Sequence, residues 1–272
     1  IFFTLSLGQG TINMYASYLR EQDDITLNGL STGSTNECAE VVLGGTIAIP
    51  VAVAFFGLAE TQVIAREGAY NLGFQTMPVI FQQIPMGQLF GGLWFGLLFI
   101  AGITTSVALA QPAVAFLEDE FGWRRPRAVN TVMGIAVSST LLVVAFFRHG
   151  FLDELDFWAG TFFLVVLTAI EIVLFSWVFG IERSWADMHQ GADLRVPRIY
   201  KFVLKYVTPL YILVLLVTWT WQEAVGQLLM EGKPAADKPY LWGARVLMAV
   251  FAGVTFWMIH RAWRRKHGQG PT

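Results

Sequence analysis

Phe3-Thr4-Leu5-Ser6-Leu7-Gly8-Gln9-Gly10 is the stretch on which the reading of this chain turns. Two hydroxyls and an amide sit beside two glycines, directly ahead of a short apolar run over 11–19. Glycine is a poor helix former, so the stretch is expected to break the helix. The run after it is too short to cross a bilayer, which takes about 20 residues. At membrane depth, unwound backbone survives only where it is buried in protein or lines a cavity. Its freed carbonyls, with the hydroxyls of Thr4 and Ser6, are oxygen donors suited to a small hard cation. A plain helix start is the alternative reading of the same residues.

The remainder of the chain places that break in a membrane. Of its 272 residues, 55% are apolar and 14% charged, with a mean hydropathy of +0.54. Soluble domains are closer to a quarter charged. Such a composition excludes a soluble enzyme, a disordered chain and a nucleic-acid binder, and a net charge of −2 offers no basic surface to a polyanion. The lone Cys38 can build neither a disulfide framework nor a thiolate metal cluster. Charge-poor apolar runs predict six full spans, at 36–65, 87–117, 128–147, 155–180, 202–221 and 241–263. The connection over 66–86 holds Gly68, Gly73, Pro78 and Pro85 yet stays apolar, as a folded lid would.

Lys and Arg set the orientation, because cytoplasmic loops retain them. Arg20, Arg124, Arg125, Arg127, Arg183, Arg195, Arg198, Lys201, Lys205, Arg261, Arg264, Arg265 and Lys266 fall on one set of alternate loops. Only Arg66, Arg148, Lys233, Lys238 and Arg245 fall on the other. The first set is expected in the cytoplasm, together with the C-terminal tail.

Polar groups at membrane depth need partners inside the protein. Asn36 and Glu40 are four apart and share a helix face. Asn36 could cap the second span with Glu37 and Glu40 near its positive end, or the group could coordinate an ion. Ala101-Gly102-Ile103-Thr104-Thr105-Ser106 offers three successive hydroxyls, either back-bonding to the preceding turn or facing ligands. Glu171, deep in its span, must have a partner or be protonated. Asp119 ends a span on the cytoplasmic side. Asp153, Glu154 and Asp156 open one on the opposite side, where the helix dipole alone would favour them. His149, His189, His260 and His267 lie in or near loops without ligand spacing.

Over essentially its whole length the chain resembles the neurotransmitter:sodium symporter family. The resemblance is carried by Ile1-Phe2-Phe3-Thr4-Leu5-Ser6-Leu7-Gly8, Tyr15-Ala16-Ser17-Tyr18, Asn36-Glu37, Phe116-Leu117-Glu118-Asp119-Glu120 and Asp156-Phe157-Trp158-Ala159-Gly160. It implies an all-α integral membrane protein with a partial LeuT-like inverted-repeat fold: one half-helix plus six transmembrane helices, from the second half of broken helix six to helix twelve. Residues 1–180 would then be the second inverted repeat, its first helix incomplete and the lid at 66–86 extracellular. Residues 181–272 would supply a cytoplasmic loop, two peripheral helices and the tail. Ile1 in place of Met fits a fragment entered mid-helix, and the N-terminal half of the same transporter would complete both ion sites.

The resemblance further implies sodium-coupled amino-acid symport by alternating access across a bacterial inner membrane. Thr4 and Asn36 would be ligands of a first Na+, and the Ala101 carbonyl, Thr104 and Thr105 of a second. Phe3, Thr4, Ser6, Gln9, Thr105 and Leu109 would line the substrate pocket, with Phe3 closing over it. Asp156 would serve the extracellular gate, and Tyr18 and Asp119 the cytoplasmic one. Glu40 stands where chloride-dependent relatives have Ser, so its carboxylate would replace the anion, and its protonation would permit proton antiport. Gln9 replaces a Phe found in a bacterial relative, which puts leucine in doubt as substrate. A homodimer, and no nucleic acid, completes the expected partners. The competing readings are a seven-helix receptor, an intramembrane enzyme and a non-transporting partner subunit.

Overall fold

The computed structural model describes residues 4–20, 22–67 and 72–267, and every regular element among them is helical. The chain opens with the break: Ser6, Gly8 and Gly10 all take positive φ, at 54°, 71° and 74°. A one-and-a-half-turn helix, α1 (Thr11–Ala16), follows. Then come α2 (Ile25–Ile64), α3 (Met77–Gln83), α4 (Gly87–Phe121), α5 (Arg125–Ala145) and α6 (Phe151–Val178). The chain continues with α7 (Ile181–His189), α8 (Ile199–Leu228) and α9 (Lys238–His267). Among the described residues, α2, α4, α5, α6, α8 and α9 are long and apolar enough to cross a membrane. Their outward side chains, such as Phe256 at 74% exposed and Val178 at 73%, suit lipid rather than water. The element order is that of the expected partial fold: a short helix after a break, then six apolar helices.

Helix α2 departs most from expectation. It begins at Ile25, eleven residues before 36, because Asp24 caps it: its Oδ1 accepts the Leu27 N–H at 2.7 Å. Residues 25–35 are too polar to register as a span, but once nucleated they continue into the apolar run. Asn36 therefore lies inside the helix, and the capping reading of Asn36, Glu37 and Glu40 is wrong. Further along, Gly57 at φ 75°, ψ 166° kinks the same helix. Helices α4, α6, α8 and α9 also run beyond their apolar runs, since helical turns continue into the headgroup layer where polar residues are tolerated.

The chain divides into two compact units, residues 1–28 with 109–272, and residues 29–108. In the smaller unit, residues 72–83 of the 66–86 connection are helical. Ile80 of α3 is buried and the Phe81 ring lies 6.2 Å from that of Trp94. A Cβ at Gly87 would meet the Phe81 carbonyl oxygen at 1.6 Å, so only glycine allows this approach.

In the larger unit, Val114 and Leu117 of α4 bury against Ala128 of α5, with Met258 of α9 packed on them. At the other end of α9, Arg245 ties three spans together. Its Nε donates to Glu154 of α6 at 2.6 Å, and its terminal nitrogens donate to the Leu228 and Gln227 carbonyls of α8 at 2.9 and 2.6 Å. Glu154 is fully buried and also accepts from Gln227 Nε2 (2.6 Å) and Trp158 Nε1 (2.8 Å). The helix dipole is thus not what holds Glu154. A cage of three donors holds it, and Arg245 is not a loop cation but lies two turns into its helix.

Candidate functional site

The break is held open by α6. The Gly8 N–H, freed from any helical ladder, donates to Glu171 Oε2 at 3.1 Å, and Asn13 Nδ2 of α1 donates to Oε1 at 3.0 Å. Both carboxylate oxygens are thereby committed, one to the unwound backbone and one to the helix beyond it. Gly8 is wedged so tightly on α6 that a Cβ would fall 2.6 Å from the Leu164 carbonyl and 2.8 Å from Thr168 Oγ1. Thr168 is buried and spends its hydroxyl proton on Leu164. A positive φ and the lack of a Cβ are both required at position 8. The partner that Glu171 needed is therefore Gly8 with Asn13. Asn13 carried a faint signal, an amide inside an apolar run. Nothing local marked Thr168.

Of the residues expected around this break, Phe3 lies outside the described residues. Thr4 is exposed, and Ser6 and Gln9 are half-buried in the unwound stretch. Leu109 is 41% exposed on α4. In the smaller unit, Asn36 Nδ2 donates to Glu40 Oε2 at 3.2 Å, one turn on, where the backbone widens into π turns over Cys38–Gly44. On α4, the Thr104 hydroxyl lies 3.0 Å from the Ala101 carbonyl and 3.1 Å from that of Ile100. Ser106 bonds Gly102 in the same way at 2.7 Å. The hydroxyl run thus back-bonds to its own helix at Thr104 and Ser106, while placing two hard oxygens, Ala101 O and Thr104 Oγ1, side by side. Thr105 is exposed.

The gate candidates are accessible. Asp156 opens a π-helical stretch, Asp156–Phe162, and its carboxylate folds over Gly160: a Cβ there would meet Oδ1 at 2.6 Å. Asp119 is exposed in the last turn of α4, between Glu118, paired with Arg125 at 3.4 Å, and Glu120, paired with Lys266 at 2.6 Å. Tyr18, just beyond α1, is 63% exposed.

Sequence reasoning missed a clamp that begins a few residues after Tyr18 in the chain. Asp24 not only caps α2 but accepts the Asp193 N–H at 2.8 Å, and Thr26 donates to the Met188 carbonyl at 2.8 Å. The Leu27 N–H is the main influence holding the Asp24 carboxyl below the usual carboxylate range. Burial opposes it, and the amides of Asp193, Leu194 and Thr26 reinforce it. Gly191, at φ 100°, lets the chain approach Gln22, whose backbone would lie 2.8 Å from a Cβ there. His189 is structural in this clamp, since its Nε2 accepts the Val196 N–H at 3.1 Å. His149 pairs with Asp237 at 2.8 Å, and no group of three His, Cys, Asp or Glu among the described residues could hold a metal ion.

A multi-pass helical membrane protein with a break held by a carboxylate of its fourth span is the class these features define. A family model described as the sodium:neurotransmitter symporter family matches residues 1–260, and the chain belongs to that family. It is 27% identical over 219 residues to an uncharacterised sodium-dependent transporter of Methanocaldococcus jannaschii, covering 77% of this chain and 43% of that protein. A sodium-dependent transporter of Haemophilus influenzae is 27% identical over 228 residues, covering 80% and 48%. The sodium-dependent nutrient amino acid transporter 1 of Drosophila melanogaster is 27% identical over 222 residues, covering 79% and 34%. The chain spans under half the length of these curated relatives.

Proposed function

We propose that this chain is part of a carrier that moves an amino acid with sodium by alternating access. The observation that carries the reading is the break at Gly8–Gly10, kept unwound by Glu171, in a chain of the symporter family. Carbonyls freed at a glycine break ligate a small cation and accept from a substrate ammonium, without any nucleophile or redox group. Thr4 and Asn36 contribute to one sodium site, and Ala101, Thr104 and Thr105 to a second, since sodium prefers hard oxygen donors. Phe3, Thr4, Ser6, Gln9, Thr105 and Leu109 line the substrate pocket. Asp156 gates it from outside, and Tyr18 and Asp119 from the cytoplasm, where the surplus of Lys and Arg puts the C-terminus. Residues 1–180 make up one inverted repeat, and the membrane is a bacterial inner membrane. Glu40 supplies the fixed negative charge beside the first sodium, so no chloride is needed.

The test is uptake of a panel of amino acids by the whole transporter in proteoliposomes under an imposed sodium gradient. Uptake should collapse when potassium replaces sodium and persist when gluconate replaces chloride. Asn36→Ala and Thr104→Ala should raise the sodium concentration for half-maximal uptake, Glu40→Ser should introduce a chloride requirement, and Gln9→Phe should shift the preference toward apolar amino acids. Uptake indifferent to sodium would refute the coupling. A chloride requirement in the unaltered protein would refute the role of Glu40.

A further inference from the structure

The far end of α9 carries a feature that transport does not use. Trp257, His260, Arg261, Arg264 and Arg265 line a groove of about 320 Å³. Their spacing, i, i+3, i+4, i+7 and i+8, puts them on one face of the helix. Met258, by contrast, packs into the core formed by α4 and α5, and Ala262 is buried. Trp257, His260 and Arg264 are thus turned away from that core, while Arg265 lies at its edge against Phe121. Its arginines are braced rather than neutralised: Arg261 lies over the Trp257 ring at 5.3 Å and Arg265 over the Phe121 ring at 5.4 Å. Among the described residues no carboxylate is within ion-pair distance of Arg261, Arg264 or Arg265, whereas the neighbouring Lys266 is paired with Glu120. Three uncompensated guanidinium groups therefore converge on one concavity.

The position of this groove along the helix identifies its occupant. Between Arg245 and His260, α9 carries no charged residue, a stretch of roughly 20 Å at 1.5 Å per residue. Trp257 and Trp263 are 56% and 63% exposed and bracket the end of that stretch, as interfacial tryptophans do. The arginines begin where the hydrocarbon ends, so they stand at headgroup depth. Guanidinium forks match phosphate oxygens geometrically, and a basic cluster immediately beyond a membrane span attracts anionic lipid. We propose that this groove is a binding site for the phosphate of an anionic phospholipid headgroup, with Trp257 lying against the upper part of the lipid's chains. The site lies on a membrane-spanning helix and does not depend on the transport reading above, and its test reads lipid retention rather than uptake.

The experiment is native mass spectrometry of the purified protein in neutral detergent, titrated with phosphatidylglycerol or phosphatidylcholine. Each cation near an anionic surface contributes roughly five-fold in binding. Phosphatidylglycerol should therefore be retained at least about ten-fold more strongly than phosphatidylcholine. Arg261→Gln, Arg264→Gln and Arg265→Gln combined should remove that preference, and Lys266→Gln, which alters the paired cation, should leave it intact. Arg264→Glu alone, an exposed single change, should cut the preference several-fold and serves if the triple variant does not fold. Equal retention of the two lipids, or a preference that survives the arginine changes, overturns the proposal. So does displacement of phosphatidylglycerol by an equal concentration of inorganic phosphate, which would make the groove a site for free anions.

Discussion

Removing the carboxylate of Glu154 should loosen α6, α8 and α9 together. Glu154 is fully buried and Arg245 only 12% exposed, so a Glu154→Leu change leaves a guanidinium facing a dry cage with its Nε donor unmatched. Breaking one side of a buried ion pair typically costs about 3–5 kcal/mol. The structure argues for the upper part of that range, because Gln227 Nε2 and Trp158 Nε1 lose their acceptor at the same time. Arg245→Met should cost a similar amount through the stranded carboxylate. The double variant should be markedly more stable than the sum of the singles, since two apolar side chains of similar volume replace the pair without an orphaned charge. The assay is a double-mutant cycle on thermal unfolding in a fixed detergent. Hydrogen exchange should report lost protection around 225–230, where Arg245 holds the carbonyls of Gln227 and Leu228. Singles that stay within about 0.5 kcal/mol of the parent, or strict additivity, would refute the cage as a source of stability.

Two further outcomes follow from the break and from the clamp. Gly8→Ala should destabilise strongly, through a positive φ that costs a non-glycine residue about 1–2 kcal/mol and a Cβ forced against the Leu164 carbonyl. Gly29→Ala, in open space on α2, should be neutral or slightly stabilising in the same melt, and equal effects at the two positions would contradict the geometry. Because amide donors hold the Asp24 carboxyl low in the folded protein, the stability it contributes is present in full above the ordinary carboxylate range. That stability is lost as pH falls through the depressed folded value. Limited proteolysis or amide exchange at residues 22–28 should rise in that acid window in the parent and lack the step in Asp24→Asn. A step of the same size in the variant would show that another group controls it.

What the sequence determined is what depends on neighbours along the chain. The six spans are legible because a bilayer demands long apolar runs, and hydropathy averages over consecutive residues. The break at Ser6–Gly10 is legible because glycine writes its backbone freedom locally. Membership of the symporter family was also legible, through short motifs spread from Ile1 to Gly160. The start of α2 was not, because residues 25–35 are helical only by virtue of the Asp24 cap and the apolar run they lead into. The tertiary structure alone decided who answers whom. Glu171 meets Gly8 across 163 positions, and Glu154 meets Arg245 across 91. No local pattern encodes such pairs. A buried charge announces that it must be satisfied, but only the packing of helices against one another brings a particular donor within hydrogen-bond distance.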